Sequence, residues 1–261
     1  MPPEIQKVRT VIEIPHIVAH RGASIEAPEN TIAAFRVAGA RQAKWIECDV
    51  TLSADNQCVL IHDDTLERTT NGTGPIHKQP LSVLRELDAG SWFSDIYKGE
   101  RIPTLSDTLE TLFFMDMGAN LEIKPSGCDP VRLCQEVAKE LDRAKKLPIL
   151  LSSFDDSAVA EIRRLLPDMP CGWLLETLPD NWHDGYTQLG ASALHIDHKA
   201  LDPEKAAEIV AANVPLVCYT VNDPARAKEL FGWGVTSVIT DDPAKMIAAI
   251  PLHPNPQDRN K

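Results

Sequence analysis

Short apolar segments rich in β-branched residues alternate with amphipathic segments along most of the chain, and this alternation constrains the fold more than any other feature. The predicted strands are residues 17–19, 45–51, 58–61, 121–123, 149–152, 172–175, 193–196, 216–221 and 238–240. The predicted helices are residues 31–40, 130–143, 157–166, 203–212, 224–233 and 243–250. Strands that alternate with helices indicate βαβ units and a parallel sheet.

Four of these helices share one start signal. Each begins at an Asp-Pro pair, namely Asp129-Pro130, Asp202-Pro203, Asp223-Pro224 and Asp242-Pro243. Asp is a preferred N-cap residue, and Pro suits the first helical position because its missing N–H would have no partner there. The repeated unit and the 261-residue length favour a TIM (β/α)₈ barrel, which has eight such units in roughly 250 residues. An open doubly wound sheet is the alternative.

Residues 64–103 interrupt this pattern. Their turn signals Asn71-Gly72, Gly74-Pro75 and Gly99 leave no room for a regular barrel helix. We therefore expect one domain over residues 1–261, with a small insertion at about residues 64–103, after the third predicted strand, that covers one end of the barrel.

Composition limits the partners. The net charge of −12 argues against a surface that binds nucleic acid or anionic lipid. No segment approaches the roughly 18 apolar residues of a membrane span, and the N-terminal stretch carries Glu4 and Glu13 where a signal peptide would be apolar. We expect a cytoplasmic protein without membrane insertion. Its six cysteines form no C-x-x-C motif, which indicates buried thiols instead of a zinc site or disulfides.

Two predicted strands carry acidic residues on one face. Glu47 and Asp49 are two residues apart, so both side chains point the same way. Glu122 and Lys124 repeat this spacing on a later strand. Three carboxylates on buried faces need a cation, and their hard oxygen atoms suit one divalent ion such as Mg²⁺, Ca²⁺ or Mn²⁺. The alternative is a set of solvated acids at strand ends.

Histidines follow two of the apolar segments, where barrel enzymes have their active sites. His20 follows residues 17–19, and His62 follows residues 58–61. Because an unperturbed imidazole titrates near pH 6.5, one histidine could give a proton while the other accepts one. Arg21 offers a fork for a phosphate, although it could instead form an ion pair with Glu26 or Glu29.

The predicted groups balance an anionic substrate. Three carboxylates and one divalent ion leave one negative charge, which Arg21 and Lys124 convert to one positive charge. A phosphodiester monoanion would then be neutralised. His195 and Asp197 also share a strand face, and interior hydrogen bonding is the favoured interpretation for them.

With these residues in place, the sequence resembles the glycerophosphodiester phosphodiesterase family, and more closely its cytoplasmic bacterial branch. The resemblance extends from about residue 17 to residue 241. The matching segments are residues 20–22 (HRG), 27–31 (APENT), 46–49 (IECD), 62–64 (HDD), 68–74 (RTTNGTG), 121–125 (LEIKP), 151–154 (LSSF), 219–222 (YTVN) and 240–241 (TD).

The resemblance implies a TIM barrel that hydrolyses glycerophosphodiesters to sn-glycerol 3-phosphate and an alcohol. It implies a metal held by Glu47, Asp49 and Glu122, and an acid/base pair of His20 and His62. The phosphate contacts of the family match Arg21 and Lys124. Tyr219 and Asn222 occupy the position of its seventh-strand motif and are predicted to contact the substrate.

Two other functions remain open at this point. A phospholipase C-like or sphingomyelinase D-like enzyme would share the barrel and its two histidines but would need an apolar rim that contacts lipid. The leucines of the insertion, Leu81, Leu84 and Leu87, have helical spacing among charged residues, which favours core packing instead. A binding protein without catalytic activity would not need both histidines and all three acids.

Overall fold

Eight parallel strands close into a barrel in the computed structural model, which describes residues 13–144 and 146–250. The strands are β1 (Ile17–His20), β2 (Trp45–Leu52), β3 (Cys58–Leu60), β4 (Gly118–Ile123), β5 (Ile149–Ser153), β6 (Cys171–Leu175), β7 (Ala193–Asp197), β8 (Leu216–Tyr219) and β9 (Ser237–Thr240). Their order is β1-β9-β8-β7-β6-β5-β4-β2, and pairing of β1 with β2 closes the ring. The TIM barrel prediction is confirmed, and the open sheet is excluded.

The third predicted strand has a different place from the one its sequence suggested. β3 is not a barrel strand, because it pairs antiparallel with the extended β2 and forms a hairpin above the barrel. Its Leu60 returns to the level of Val50, and the Ile61 amide donates to the Asp49 carbonyl. His62 therefore lies at the carboxyl end of the barrel because of the hairpin, although it does not follow a barrel strand.

Nine α-helices occur in the described part of the chain. They are α1 (Ile32–Ala40), α2 (Leu81–Leu84), α3 (Leu105–Phe114), α4 (Pro130–Arg143), α5 (Asp156–Leu165), α6 (Trp182–Leu189), α7 (Pro203–Ala211), α8 (Pro224–Gly232) and α9 (Pro243–Ala249). The Asp side chain accepts an N-terminal helix amide at all four Asp-Pro starts. Helices α2, α3 and α6 were not predicted.

Two apolar cores stabilise the barrel. The larger lies between the outward side chains of the strands and the surrounding helices, and it includes Phe35, Cys48 and Leu121. The smaller occupies the barrel interior and consists of Val18, Trp45, Leu150, Val217 and Ile239, with Ile14 and Tyr219 packed against it. The interior core is apolar toward the amino ends of the strands, so the polar interior residues lie toward the carboxyl ends.

The segment between β3 and α3 has an apolar core of its own. Ile61, Leu66, Ile76, Leu84 and Ile102 are buried together there, and Leu81 and Leu87 pack against them. The prediction that these leucines are packing residues agrees with this core. The limits of the insertion at residues 64–103 stay a prediction.

Among residues 13–144 and 146–250, every helix is too short or too polar to span a lipid bilayer. The stretch of residues 1–12, on which the prediction of no signal peptide partly rests, lies outside the described residues.

Gly22 holds the turn that follows β1. Its φ is +84°, and a Cβ atom there would lie 2.7 Å from the backbone carbon of Ala34. Gly74 has a similar φ of +88°, but a Cβ atom added there would meet no other atom within 4 Å. Alanine substitutions at the two glycines therefore distinguish the cost of backbone strain, which both positions share, from the cost of a steric clash, which only Gly22 has.

We expect Gly74→Ala to lower the free energy of unfolding by about 1–2 kcal/mol, the cost of a left-handed non-glycine residue. Gly22→Ala should lower it by roughly 1–3 kcal/mol more, because the turn must also move away from α1. Urea denaturation of both variants measures the difference. Equal losses would show that the turn relaxes around the added methyl group.

Candidate active site

Three carboxylates meet at the carboxyl end of the barrel. Glu47 and Asp49 point inward from β2, and Glu122 points inward from the neighbouring β4, where it pairs in register with Asp49. One oxygen atom from each carboxylate lies within 4.8 Å of the other two. Glu47 and Asp49 are only 3% and 1% exposed. The acidic residues predicted from strand spacing therefore form one cluster, in which Glu47 and Asp49 are buried and Glu122 is partly buried.

The surroundings of these acids shift their pKa values in opposite directions. Burial, reinforced by the negative charge of Asp49, raises the pKa of Glu122 to about 8 and raises the pKa of Glu47 well above its usual value. Burial also opposes ionisation of Asp49, but the charges of Arg21 and Lys124 outweigh it and lower the pKa of Asp49. Ionising all three acids together would therefore place more negative charge here than the nearby cations neutralise, so Glu47 and Glu122 retain protons to a higher pH than usual.

Two cations border the cluster. The Arg21 Nε atom lies 3.3 Å from Asp49 Oδ2, and the Lys124 Nζ atom lies 3.8 Å from Asp49 Oδ1. Arg21 has a left-handed backbone with φ 55°, and its amide donates to Glu47 Oε2 at 3.1 Å. Asn30 adds a third contact, since its Nδ2 donates to Asp49 Oδ2 at 2.8 Å. Both predicted phosphate contacts therefore lie beside the carboxylates.

His20 is oriented by a carboxylate that follows the last barrel strand. Its Nδ1 lies 2.6 Å from Asp241 Oδ1, and its Nε2 lies 3.9 Å from Glu47 Oε2. Asp241 also accepts from Ser24 Oγ at 3.1 Å and from Asn222 Nδ2 at 2.6 Å. Although burial opposes its ionisation, these hydrogen bonds and the His20 ring lower the pKa of Asp241 to about 2. The bond at Nδ1 leaves Nε2 directed at the site.

His62 has a second carboxylate partner. Its Nδ1 lies 2.7 Å from Asp63 Oδ1, and burial lowers the pKa of the His62 ring despite the opposing charge of Asp49. Hydrogen bonds from Arg68 are the largest cause of a strongly lowered pKa at Asp63. Each predicted catalytic histidine therefore has its own ionised carboxylate.

Arg68 of the insertion joins His62 to the carboxylate cluster. Its guanidinium donates to both oxygens of Asp63, at 2.6 and 2.9 Å, and to both oxygens of Glu29, at 2.7 and 2.8 Å. Glu29 in turn accepts from Arg21 Nη1 at 2.8 Å. A continuous series of ion pairs thus runs from His62 through Arg68 to Arg21.

The side chains of Tyr219 and Asn222 both form hydrogen bonds with other residues of the protein. The Tyr219 hydroxyl donates to the Leu175 carbonyl at 2.8 Å, and its ring packs edge-on against Phe154 at 5.8 Å between centroids. Asn222 Oδ1 accepts from Thr240 Oγ1 and from the Asp241 amide, each at 2.9 Å. Asn222 is therefore linked to His20 through Asp241.

Four supporting residues were not predicted as participants in the site: Glu29, Asp63, Arg68 and Asp241. Asp241 had the same signal as His20, because it directly follows an apolar barrel strand. Asp63 and Arg68 do not follow a barrel strand, and their only signal was that residues 62–64 and 68–74 match the family.

The chain matches the model of the glycerophosphoryl diester phosphodiesterase family over residues 20–245. The protein belongs to this family. The matched region spans the barrel from His20 to α9 and contains every predicted site residue, so the prediction of the family, and with it of an enzyme, is confirmed.

Relatives named for this activity support the assignment. The glycerophosphodiester phosphodiesterase of Caldanaerobacter subterraneus is 35% identical over 88% of this chain and 96% of its own length. A Bacillus subtilis enzyme of the same name is 31% identical over 87% of this chain and 83% of its own length.

Solved structures agree. A phosphodiesterase from Oleispira antarctica, solved in complex with the product sn-glycerol-3-phosphate, superposes with a TM-score of 0.89 at 37% identity, covering 92% of this chain and 98% of that one. The glycerophosphodiester phosphodiesterase of Agrobacterium tumefaciens gives a TM-score of 0.75 at 32% identity, covering 90% of this chain and 100% of that one.

The carboxylate cluster of this phosphodiesterase family member fits a divalent cation. Three oxygen ligands lie close enough to share one ion, and hard ions such as Mg²⁺, Ca²⁺ and Mn²⁺ prefer such ligands. The raised pKa of Glu122 also marks a negative charge that the protein does not compensate. The donor set and the charge both favour an ion at this position.

The pKa of Glu122 makes a prediction about the metal-free protein. Because the folded-state pKa is raised to about 8, the native state keeps a proton that the unfolded chain releases from about pH 4.3 upward. Stability should therefore fall as pH rises toward 8 and stay low above it.

Glu122→Gln should remove this loss. At pH 9 with a chelator present, we expect the free energy of unfolding of the variant to exceed that of the wild type by about 1 to 4 kcal/mol, the scale of relieving a buried charge. We also expect that Mg²⁺ no longer stabilises the variant. Denaturant unfolding with and without Mg²⁺ measures both effects, with the exposed Glu110→Gln as control. A destabilised Glu122→Gln in chelator would contradict the electrostatic account.

Proposed function

We propose that the protein hydrolyses glycerophosphodiesters to sn-glycerol 3-phosphate and an alcohol. The observation that carries the proposal is the placement of two histidines, each held by its own carboxylate, beside a buried three-carboxylate cluster and two cations. The product complex of the Oleispira antarctica relative, at 37% identity, supports the same substrate class for this chain.

Glu47, Asp49 and Glu122 would hold one divalent ion. When bound, such an ion supplies Lewis-acid stabilisation to the negative charge on a phosphate oxygen. The fully buried Asp49 joins this cluster to Arg21 and Lys124, so the same residues that would hold the ion also fix the cations.

Arg21 and Lys124 would bind and orient the phosphate. The Arg21 fork is held by Glu29 and faces Asp49, which limits its rotation before a substrate arrives. A planar guanidinium fixed in this way can donate to two phosphate oxygens, while the Lys124 ammonium acts as a point charge.

His20 and His62 would move the protons. The attacking O–H group belongs either to water, which gives both products in one step, or to the glycerol 2-hydroxyl, which gives a cyclic phosphate that water then opens. In the first step, one histidine takes the proton of the attacking O–H group as the new P–O bond forms. The other gives a proton to the alcohol oxygen as the old P–O bond breaks. Because Nδ1 of each ring bonds a carboxylate, Nε2 is the atom that exchanges the proton.

Tyr219 and Asn222, the other predicted substrate contacts, would have smaller roles. Tyr219 and Phe154 would form an aromatic wall for the substrate, since the Tyr219 hydroxyl already bonds Leu175. Asn222 was predicted to contact the substrate, but its hydrogen bonds to Asp241 favour a positioning role toward His20.

A small diester is the expected partner, and the cytoplasm stays the predicted location. The support for both is the resemblance to the cytoplasmic bacterial branch. A lipid substrate is the alternative, and exposed Ile25 and Ile96, at 58% and 82% exposure, are the residues that could contact a bilayer.

We expect the purified protein to release sn-glycerol 3-phosphate from glycerophosphocholine and to leave intact phosphatidylcholine vesicles unchanged. Chelation should abolish the activity, and Mg²⁺, Mn²⁺ or Ca²⁺ should restore it, because the uncompensated carboxylates would repel a phosphate. An enzyme-coupled assay for sn-glycerol 3-phosphate measures release. Faster cleavage of vesicles would favour the lipid enzyme, and full activity in chelator would remove the metal from the proposal.

His20→Ala and His62→Ala should each lower kcat by roughly 10²- to 10⁴-fold, the range for a positioned acid or base. Their effects should be less than multiplicative in the double variant, because both act in one step. His183→Ala, on the exposed face of α6, is the matched control. A single variant with wild-type kcat would assign that histidine a structural role.

Arg68→Ala should lower kcat by roughly 10- to 100-fold, the usual effect of losing an outer hydrogen bond that orients a reacting group. Arg68→Lys should rescue only part of this loss, because lysine cannot bond both carboxylates in a bidentate way. The control is Arg85→Ala, which removes an exposed insertion arginine paired with Asp107. If Arg68→Ala changed only stability, the kcat of the folded fraction would be that of the wild type.

A further inference from the structure

A group of buried polar side chains lies inside the barrel and takes no part in the proposed chemistry. Asn120, Ser152 and His195 are 2%, 0% and 0% exposed. Five of their side-chain atoms have no hydrogen-bonding partner among the described residues: Asn120 Nδ2 and Oδ1, Ser152 Oγ, and His195 Nδ1 and Nε2. His195 was predicted to form interior hydrogen bonds, and its interior position is confirmed while these bonds to the protein are not.

The strand register places these residues directly beneath the carboxylate cluster. Asn120 pairs with Glu47, and Ser152 pairs with Glu122. In a barrel of eight tilted strands, alternate strands supply each interior layer. The register therefore puts Ser152 and His195 in the same layer as Glu47, the deepest carboxylate of the cluster, and beneath the layers of Glu122 and Asp49. Most of the apolar interior core lies lower still.

Gly172 makes room for the His195 ring. It lies on β6 between Ser152 of β5 and Ala193 of β7, and a Cβ atom there would lie 2.5 Å from His195 Nε2. The imidazole therefore extends across the glycine toward Ser152. Any larger residue at this position would fill the space that the ring and its neighbours share.

The group is neutral, which determines what it can bind. Burial lowers the pKa of His195 to about 3, so the ring has one donor and one acceptor nitrogen at neutral pH. An amide, a hydroxyl and a neutral imidazole together offer both donors and acceptors but no charge. Leaving such atoms unbonded in an apolar interior costs about 1–3 kcal/mol each.

We infer that Asn120, Ser152, Gly172 and His195 form a binding chamber for ordered water beneath the carboxylate cluster. About three waters, each making ~3 hydrogen bonds, would satisfy the five atoms and reach the Glu47 side chain from the side and the Glu122 side chain from below. Hydrogen bonds of this kind fix the orientation of metal-binding carboxylates. The effect on metal affinity rests on the proposed metal site, whereas the water positions do not.

An atomic-resolution crystal structure of the wild-type protein tests the chamber directly. We expect ordered water within hydrogen-bonding distance of both His195 nitrogens and of Asn120 or Ser152. Direct bonds among rotated Asn120, Ser152 and His195 side chains would overturn the inference. A peak at metal-coordination distance from His195 would also overturn it, in favour of a second cation site.

Metal binding tests the consequence. By calorimetry on the metal-free protein, His195→Leu should weaken Mn²⁺ binding by roughly 10-fold, the lower end of the effect of losing outer hydrogen bonds to a metal site. Gly172→Ala should act in the same direction by displacing the ring. Ile239→Val removes interior volume without a polar atom and should leave the affinity unchanged. Wild-type affinity in a folded His195→Leu would overturn the link to the carboxylates.

These readouts do not depend on catalysis. If the protein hydrolysed no glycerophosphodiester, the proposed function would fail while the water positions and Mn²⁺ affinities still decided the chamber. If the wild-type protein bound no Mn²⁺, the metal proposal and the link to the carboxylates would fail together, and the crystal structure alone would decide the water site.

Discussion

Mutual repulsion among Glu47, Asp49 and Glu122 is the constraint around which the carboxyl end of the barrel is organised. Carboxylates within 4.8 Å of one another in a buried site are costly unless cations or donors surround them. Arg21, Lys124 and Asn30 all contact Asp49, which stays ionised, while the pKa of Glu122 rises to about 8. A divalent ion in place of the protons on Glu47 and Glu122 would relieve this repulsion, and the donor set fits such an ion.

Residues that lie far apart in the sequence meet around this cluster. Asp241, after the last barrel strand, orients His20 from the first. Arg68, from the insertion, binds Asp63 beside His62 and Glu29 beside Arg21. Arg68 therefore fixes the positions of His62 and Arg21 relative to each other, and these are the proposed acid/base group and the proposed phosphate contact.

The barrel and the central residues of the site could be predicted from sequence because both depend on local periodicity. Inward and outward side chains alternate along a strand, so Glu47 and Asp49 had to share a face, and Asp-Pro pairs start four helices. Helix α3 was not predicted although it has a local signal, a capping box from Thr104 to Asp107. Helix α6 has almost none, because Asn181 makes no capping bond and Gly185 lies within it.

What sequence could not predict depends on contacts between distant segments. Nothing local indicates that β3 turns back antiparallel on β2, that Arg68 reaches Glu29 across 39 positions, or that His195 lies over Gly172. These contacts follow from the register and closure of the whole barrel. The positions of His20 and His62 after apolar segments predicted an acid/base pair, and the family resemblance implied the same roles, but their carboxylate partners required the structure.

The most direct measurement of the central claim is anomalous scattering from a crystal of the protein grown with Mn²⁺. The account predicts one strong manganese peak bonded to an oxygen of each of Glu47, Asp49 and Glu122, with Arg21 and Lys124 beside it. It also predicts that the peak disappears in a crystal of Glu122→Gln grown under the same conditions. A manganese ion bound elsewhere, or an unchanged peak in that variant, would contradict the claim that the repulsion among these three carboxylates is relieved by a shared ion.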